Sequence, residues 1–155
     1  MDVYARLKEL NITLPEPPPP GAGVNKPVVQ VGNLLFVSGK GPVKDGKPVF
    51  TGKVGKDLTV EQGAEGAKIV ALNILSILQR HLGGDLNKIK RIVKTLGFVQ
   101  SPADFHGQPQ VINGCSNVFK DIWGEENGVG ARSAIGVNEL PNNFCCEIEF
   151  IFEIK

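Results

Sequence analysis

Three charged side chains near the C-terminus, Arg132, Glu147 and Glu149, are the first residues here able to do chemistry. A planar guanidinium holds a carboxylate through two parallel N–H···O bonds. A carboxylate can act as general base toward a water molecule. Their surroundings have the spacing of strands. Cys146, Ile148, Phe150, Phe152 and Ile154 alternate with Cys145, Glu147, Glu149, Ile151 and Glu153. Ser133, Ile135 and Val137 alternate with Arg132, Ala134 and Gly136. A period of two places each set on one face of a strand. Residues 138–143, Asn-Glu-Leu-Pro-Asn-Asn, supply turn chemistry between the two runs. A hairpin with Val137 opposite Phe144 sets Arg132 opposite Glu149 and Ala134 opposite Glu147. Arg132 then reaches both carboxylates, since opposed Cβ atoms lie about 5 Å apart. Spacing alone leaves two readings open. One is a cross-strand ion pair on a solvated face, contributing about 0.2–1 kcal/mol. The other is a pair that binds and activates a ligand.

The elements that must position these residues are legible upstream. Val28–Val31 and Leu34–Ser38 flank Gly32-Asn33, a two-residue hairpin signal. The wholly apolar Leu34–Val37 suits a central strand. It runs into Ser38-Gly39-Lys40-Gly41-Pro42, where glycines let a backbone approach a ligand, although no Gly-Lys-Ser/Thr follows as a phosphate-binding loop requires. Lys44-Asp45-Gly46 is a further turn. Thr59 and Gln62 form a capping-box pattern that opens a long helix, with Ala64, Ala67, Ala71, Ile74, Leu75 and Leu78 at helical spacing and Gly83-Gly84 beyond its end. Residues 88–100 read as a strand with Ile92, Leu96 and Phe98 partly buried; its Lys88, Lys90, Arg91 and Lys94 suit a solvated strand edge. Residues 110–123 read as a second helix with Ile112, Cys115, Phe119 and Ile122 as its core stripe, and 124–130 as a flexible loop. Residues 2–10 suit a short accessory helix, and residues 14–21 an extended polyproline connector. This order implies an α+β fold, two helices packed on one face of a mixed sheet. The other face, expected to carry Arg132, Glu147, Glu149, Gly136, Cys145 and Ile151, is less polar than a solvated face and suits a homo-oligomer.

The bounds agree with one soluble domain. The chain has 155 residues, enough for a core without staples. A net charge of +1 gives no electrostatic footprint for nucleic acid or membrane. Three cysteines, Cys115, Cys145 and Cys146, lack metal-ligand spacing, and the adjacent two are expected on opposite faces of a strand, unbonded. That usage points to a reducing cytoplasm, and no apolar run approaches bilayer length. His81 lies at a helix end, where the dipole accounts for it, and His106 has no motif partner.

Five separated segments together resemble one known family: Asn33-Leu-Leu-Phe-Val-Ser-Gly39, 113–119, Ala131-Arg-Ser-Ala-Ile-Gly-Val137, Glu139-Leu-Pro141 and Glu147-Ile-Glu149. They are similar to the Rid family, also called YjgF or L-PSP-like, over about residues 32–155. The N-terminal helix and proline tract are similar to its longer branch, dividing the chain into a connector, 1–27, and a Rid-like domain, 28–155. The resemblance implies a chorismate-mutase-like fold, a homotrimer with a central β-barrel, and clefts between subunits. It further implies hydrolysis of reactive 2-imino or enamine acids to 2-keto acids and ammonia, with no metal or organic cofactor. By the same resemblance Arg132 is the carboxylate-binding arginine and Glu147 the water-orienting glutamate. Ser38, Gly39 and Ala134 complete the pocket through backbone groups, with Asn113 near it. The family's deaminases place an N-terminal tyrosine over the substrate; residues 21–30 here contain no aromatic residue, and Tyr4 lies far upstream. Two alternative readings stand beside imine hydrolysis: a small-molecule (carboxylate) binding or regulatory trimer that keeps the arginine pocket without turnover, and a translation inhibitor or endoribonuclease, as other members of the family are described.

Overall fold

The computed structural model describes residues 2–19 and 23–155; the last two residues of the expected polyproline connector, 20 and 21, lie outside them. The chain forms α1 (Val3–Glu9), β1 (Val28–Val31), β2 (Leu34–Lys40), β3 (Val43–Lys44), β4 (Lys47–Pro48), α2 (Val60–His81), β5 (Ile89–Gln100), α3 (Gln108–Gly128), β6 (Ala131–Val137) and β7 (Cys146–Ile154). This is a mixed α+β fold. The main sheet has the order β1-β2-β7-β5-β6, and β3-β4 is a separate hairpin. β5 and β6 are parallel; every other neighbouring pair is antiparallel.

Local chemistry accounts for most boundaries. The Thr59 hydroxyl accepts from the Gln62 backbone N–H while the Gln62 side chain accepts from the Thr59 N–H, so both members of the capping box are made. Gly83 follows in the left-handed region at φ 72°, which stops α2 after His81. α2 lies over β7 and β2, while α3 lies over β5 and β6. The two helices approach so closely that a Cβ on Gly114 would run into the Ala64 carbonyl. Phe119 of α3 stands edge-on to both Phe150 and Phe152 of β7, at 5.4 and 5.6 Å between ring centroids.

Four expectations change. β6 and β7 do not form a hairpin, because β5 lies between them and bonds to both. The connection 138–145 therefore crosses the end of β5 instead of turning tightly. Gln100, the last residue of β5 and fully buried, holds that crossing: its side-chain amide donates to Asn143 Oδ1 at 2.7 Å and accepts from the Leu140 N–H at 2.6 Å. Second, α3 continues to Gly128, five residues past the expected end. Gly124 breaks the helical path at φ 77°, ψ −179°, a conformation glycine adopts without Cβ strain, and the helix then resumes. Third, the basic end of β5 is an inner strand only from Lys94 onward, where β6 begins to pair; before it, Lys90 and Arg91 both bind Glu153, at 2.9 and 2.6 Å. Fourth, Cys145 precedes β7, so strand alternation does not separate it from Cys146. Both thiols are buried and free, with sulfurs 3.8 Å apart.

The sheet face away from the helices carries Val29, Val31, Phe36 and Ile135, each more than 40% exposed, beside partly covered Leu34, Leu96, Phe98 and Ile151. No helix among the described residues is long and apolar enough to cross a membrane.

Two stability measurements follow. Gln100→Leu leaves the Leu140 N–H and Asn143 side chain without their buried partner, so urea unfolding should show a loss of about 2–4 kcal/mol. The Lys90 and Arg91 cations hold the Glu153 carboxyl below its ordinary range. A depressed carboxyl stabilises the fold above its unfolded pKa and loses that contribution as pH falls through the folded value. The stability difference between parent and Glu153→Gln should accordingly be full at pH 7 and shrink below about pH 5.

Candidate functional site

Strand parity decides which face each charged residue occupies. Arg132 is level with Thr95 on β5, and Thr95 is level with Phe150 on β7. All three therefore point toward the helices. Glu147 is level with Phe98 and Glu149 with Leu96, so these carboxylates point to the opposite face. The expected contact of Arg132 with Glu147 and Glu149 is absent for that reason. Two strand spacings and three residues along β5 separate Arg132 from Glu147, roughly 14 Å between Cα atoms, and the sheet stands between their side chains. Gly136 likewise belongs to the helix face.

Arg132 instead meets α3. Its Nη1 donates to Asn113 Oδ1 at 2.8 Å and to Ser116 Oγ at 3.2 Å. The pair holds the guanidinium plane by one nitrogen. Among the described residues, Nε and Nη2 have no protein acceptor and remain able to bind a carboxylate. The cleft around them holds about 340 Å³ and is lined by Thr95, Asn113, Ser116, Asn117 and Lys120 among others. Ala134 shares the Arg132 face two residues on, and β6 is an edge strand, so its outer backbone groups have no strand partner among the described residues.

A second group forms around Glu147. The β2–β7 register shifts between Val37 and Lys40, and this irregularity contains Ser38 and Gly39. A Cβ at Gly39 would sit 3.2 Å from Glu147 Cγ and Cδ, so the glycine makes room for the carboxylate. Ser38 Oγ donates to the Lys26 carbonyl at 2.6 Å, which occupies its proton. Half-burial of Glu147 raises its carboxyl pKa, with the Glu149 charge adding to the shift and Lys40 opposing it. A carboxylate held upward in this way accepts a proton more readily near neutrality.

The sequence-predicted residues thus fall into two groups: Arg132, Asn113 and Ala134 in one, Ser38, Gly39 and Glu147 in the other. Thr95, Ser116 and Lys120 were not anticipated. Ser116 and Lys120 follow Asn113 at three and seven residues, which is one helical face, so the periodicity of α3 held that signal. Larger clefts of about 520 Å³ flank α1. In one of them Tyr4 is fully engaged: its hydroxyl donates to the Gly84 carbonyl and accepts from Gln79 Nε2 and the Leu86 N–H. Among the described residues, no three His, Cys, Asp or Glu side chains converge as metal ligands would.

Residues 5–154 match the family described as YjgF/chorismate mutase-like, putative endoribonuclease. The chain belongs to this family. A YjgF-family relationship also connects it with solved and curated proteins. It is 38% identical over 153 residues to Protein TCP17 of Trypanosoma cruzi, covering 99% of this chain and 94% of that one. Protein Atu1372 of Agrobacterium tumefaciens, of unknown function, superposes with a TM-score of 0.88 at 43% identity, over 98% of this chain and 91% of that one. A putative endoribonuclease from Shewanella oneidensis gives a TM-score of 0.92 at 27% identity, over 99% and 100%. The family match takes in α1 from Ala5 onward.

The electrostatics of Glu147 can be read without any substrate. Glu149→Gln removes a like charge and should lower the Glu147 pKa, while Lys40→Met removes an opposing cation and should raise it. NMR titration of the Glu147 side-chain carboxyl checks both signs; two shifts in the same direction would contradict this account.

Proposed function

We propose that this protein hydrolyses reactive 2-imino acids to 2-keto acids and ammonia, in clefts formed between copies of a homotrimer. The observation that carries the reading is Arg132, oriented by Asn113 and Ser116 in a polar cleft with its remaining nitrogens open. Such a fork binds the 1-carboxylate of an imino acid and presents C2 to solvent-derived water. Glu147 takes a proton from the water as its oxygen bonds to C2 of the protonated imine, giving a tetrahedral amino alcohol. The same carboxyl returns that proton to nitrogen, the C–N bond breaks and ammonia leaves, and the C2 hydroxyl passes its own proton to the freed carboxylate as it becomes the keto oxygen. Its raised pKa suits a group that must carry a proton in both directions.

The two half-sites lie on opposite faces of one sheet, so a single protomer cannot set both on one substrate. A second copy supports the reading twice over. It would cover the apolar open face, and it would bring its Glu147 group to the edge strand that carries Arg132. Closed assemblies of identical subunits arise from such head-to-tail contacts. Non-catalytic carboxylate binding is the second reading, favoured by the hydrogen bonds that hold Tyr4 at Gly84, Gln79 and Leu86 instead of over the cleft. RNA cleavage has less support: net charge +1 supplies no basic surface.

Sedimentation should give a trimer at micromolar concentration; a monomer would count against the composite cleft. With 2-iminopropanoate generated in situ, Arg132→Ala should lose ligand affinity by about 2–5 kcal/mol, and Arg132→Lys should restore little of it because an ammonium lacks the planar fork. Glu147→Gln should keep keto-acid binding and slow turnover about 10²–10⁴-fold. Refolding the two inactive variants together tests the shared cleft directly. At equal amounts, about a quarter of the clefts would combine an intact arginine with an intact glutamate, so about that fraction of parent activity should return. No recovery would place both groups within one subunit.

A further inference from the structure

The Arg132 cleft contains a second cation that the imine chemistry leaves unused. Asn113, Ser116 and Lys120 share one face of α3. The first two hold Arg132. Lys120 stands one turn beyond Ser116, about 6 Å along the helix axis, and lines the same cleft. Its Nζ pairs with Glu125 Oε2 at 2.6 Å. The partners are unequally placed: the Lys120 side chain is 51% exposed and that of Glu125 75%. Both residues also border the cleft beside α1, and glutamate is the more exposed partner, free to swing into solvent. The break at Gly124 sets this geometry. Glu125 begins the resumed helical turn that ends at Gly128, and Gly128 and Gly130 close the cleft on that side. An exposed ion pair of this kind contributes little to stability, about 0–1 kcal/mol, so breaking it for a ligand carries a small penalty.

We propose that the cleft selects dicarboxylates, with the 1-carboxylate on Arg132 and the distal carboxylate displacing Glu125 from Lys120. A five-carbon 2-oxo or 2-imino diacid sets its two carboxyl carbons about 5 Å apart, at roughly 1.5 Å per bond, which is comparable with the rise of about 6 Å from Ser116, a holder of Arg132, to Lys120. Monocarboxylates of equal length would lay an apolar end against the ammonium and leave it unmatched. This deepens the imine reading by naming the substrate class, and it rests on Arg132 as the carboxylate holder.

The test compares 2-oxoglutarate with 2-oxopentanoate, equal in carbon number and differing in the distal carboxylate, by calorimetry on the full-length protein at low salt. The parent should bind 2-oxoglutarate about tenfold more tightly. In Lys120→Met the ratio of affinities should fall toward one, and in Glu125→Gln it should rise, because the competing carboxylate is gone. The second variant guards against loss of folding as an explanation of the first. Equal binding of both acids by the parent, or an unchanged ratio in both variants, overturns the inference while leaving imine hydrolysis intact. Preferential 2-oxoglutarate binding that follows Lys120, without turnover of the corresponding 2-imino acid, overturns the hydrolase reading and keeps the dicarboxylate site. Binding of neither acid overturns both.

Discussion

The interposition of β5 between β6 and β7 is the constraint on which the arrangement depends. One strand serves two neighbours, and its alternation imposes faces on both. Thr95 and Val99 turn toward the helices and take Arg132 and Phe150 with them; Leu96 and Phe98 turn away and take Ser133, Ile135, Glu147 and Glu149. Three residues of offset, an odd number, are enough to send arginine and glutamate to opposite sides. If the two strands were adjacent in the expected register, the charges would face one another on one side of the sheet. Separated, the guanidinium is held by neutral oxygens of α3 through Nη1.

Much of this was legible in the chain because it rests on local rules. The Thr59–Gln62 cap, the Gly32-Asn33 turn and the alternation of Cys146–Ile154 each need only neighbours in sequence. The failed hairpin shows where such rules stop. Alternation fixes which residues share a face of a strand but says nothing about which strand lies beside it. A different signal was present: β5, α3 and β6 form a strand–helix–strand unit, whose usual outcome is a parallel pair joined by a crossover. That unit sets β6 against β5. The Cys145–Cys146 proximity has a smaller cause: Cys145 lies one residue before β7, where strand alternation no longer applies.

The site residues show the same division. Arg132, Asn113 and Glu147 came from family motifs, while Ser116 and Thr95 become visible only when α3 is seated on β5 and β6. That seat depends on the bare Gly114 against Ala64 and on the aromatic contacts of Phe119 with Phe150 and Phe152. Packing between helices thus sets the angle of the guanidinium, although none of those groups touches the cleft.

The docking of α1 has a different bearing on the molecule. Val3 and Leu7 are buried in the common core, the Asn87 side chain caps the Val3 N–H, and the Tyr4 hydroxyl ties three groups around the end of α2. A shortened chain beginning at the first strand would keep the sheet and both long helices, yet present raw apolar surface near Leu82 and Leu86 and leave the Leu86 amide bare. The first ten residues act as a clasp over that seam, and any fusion partner attached ahead of them must leave room for it to close.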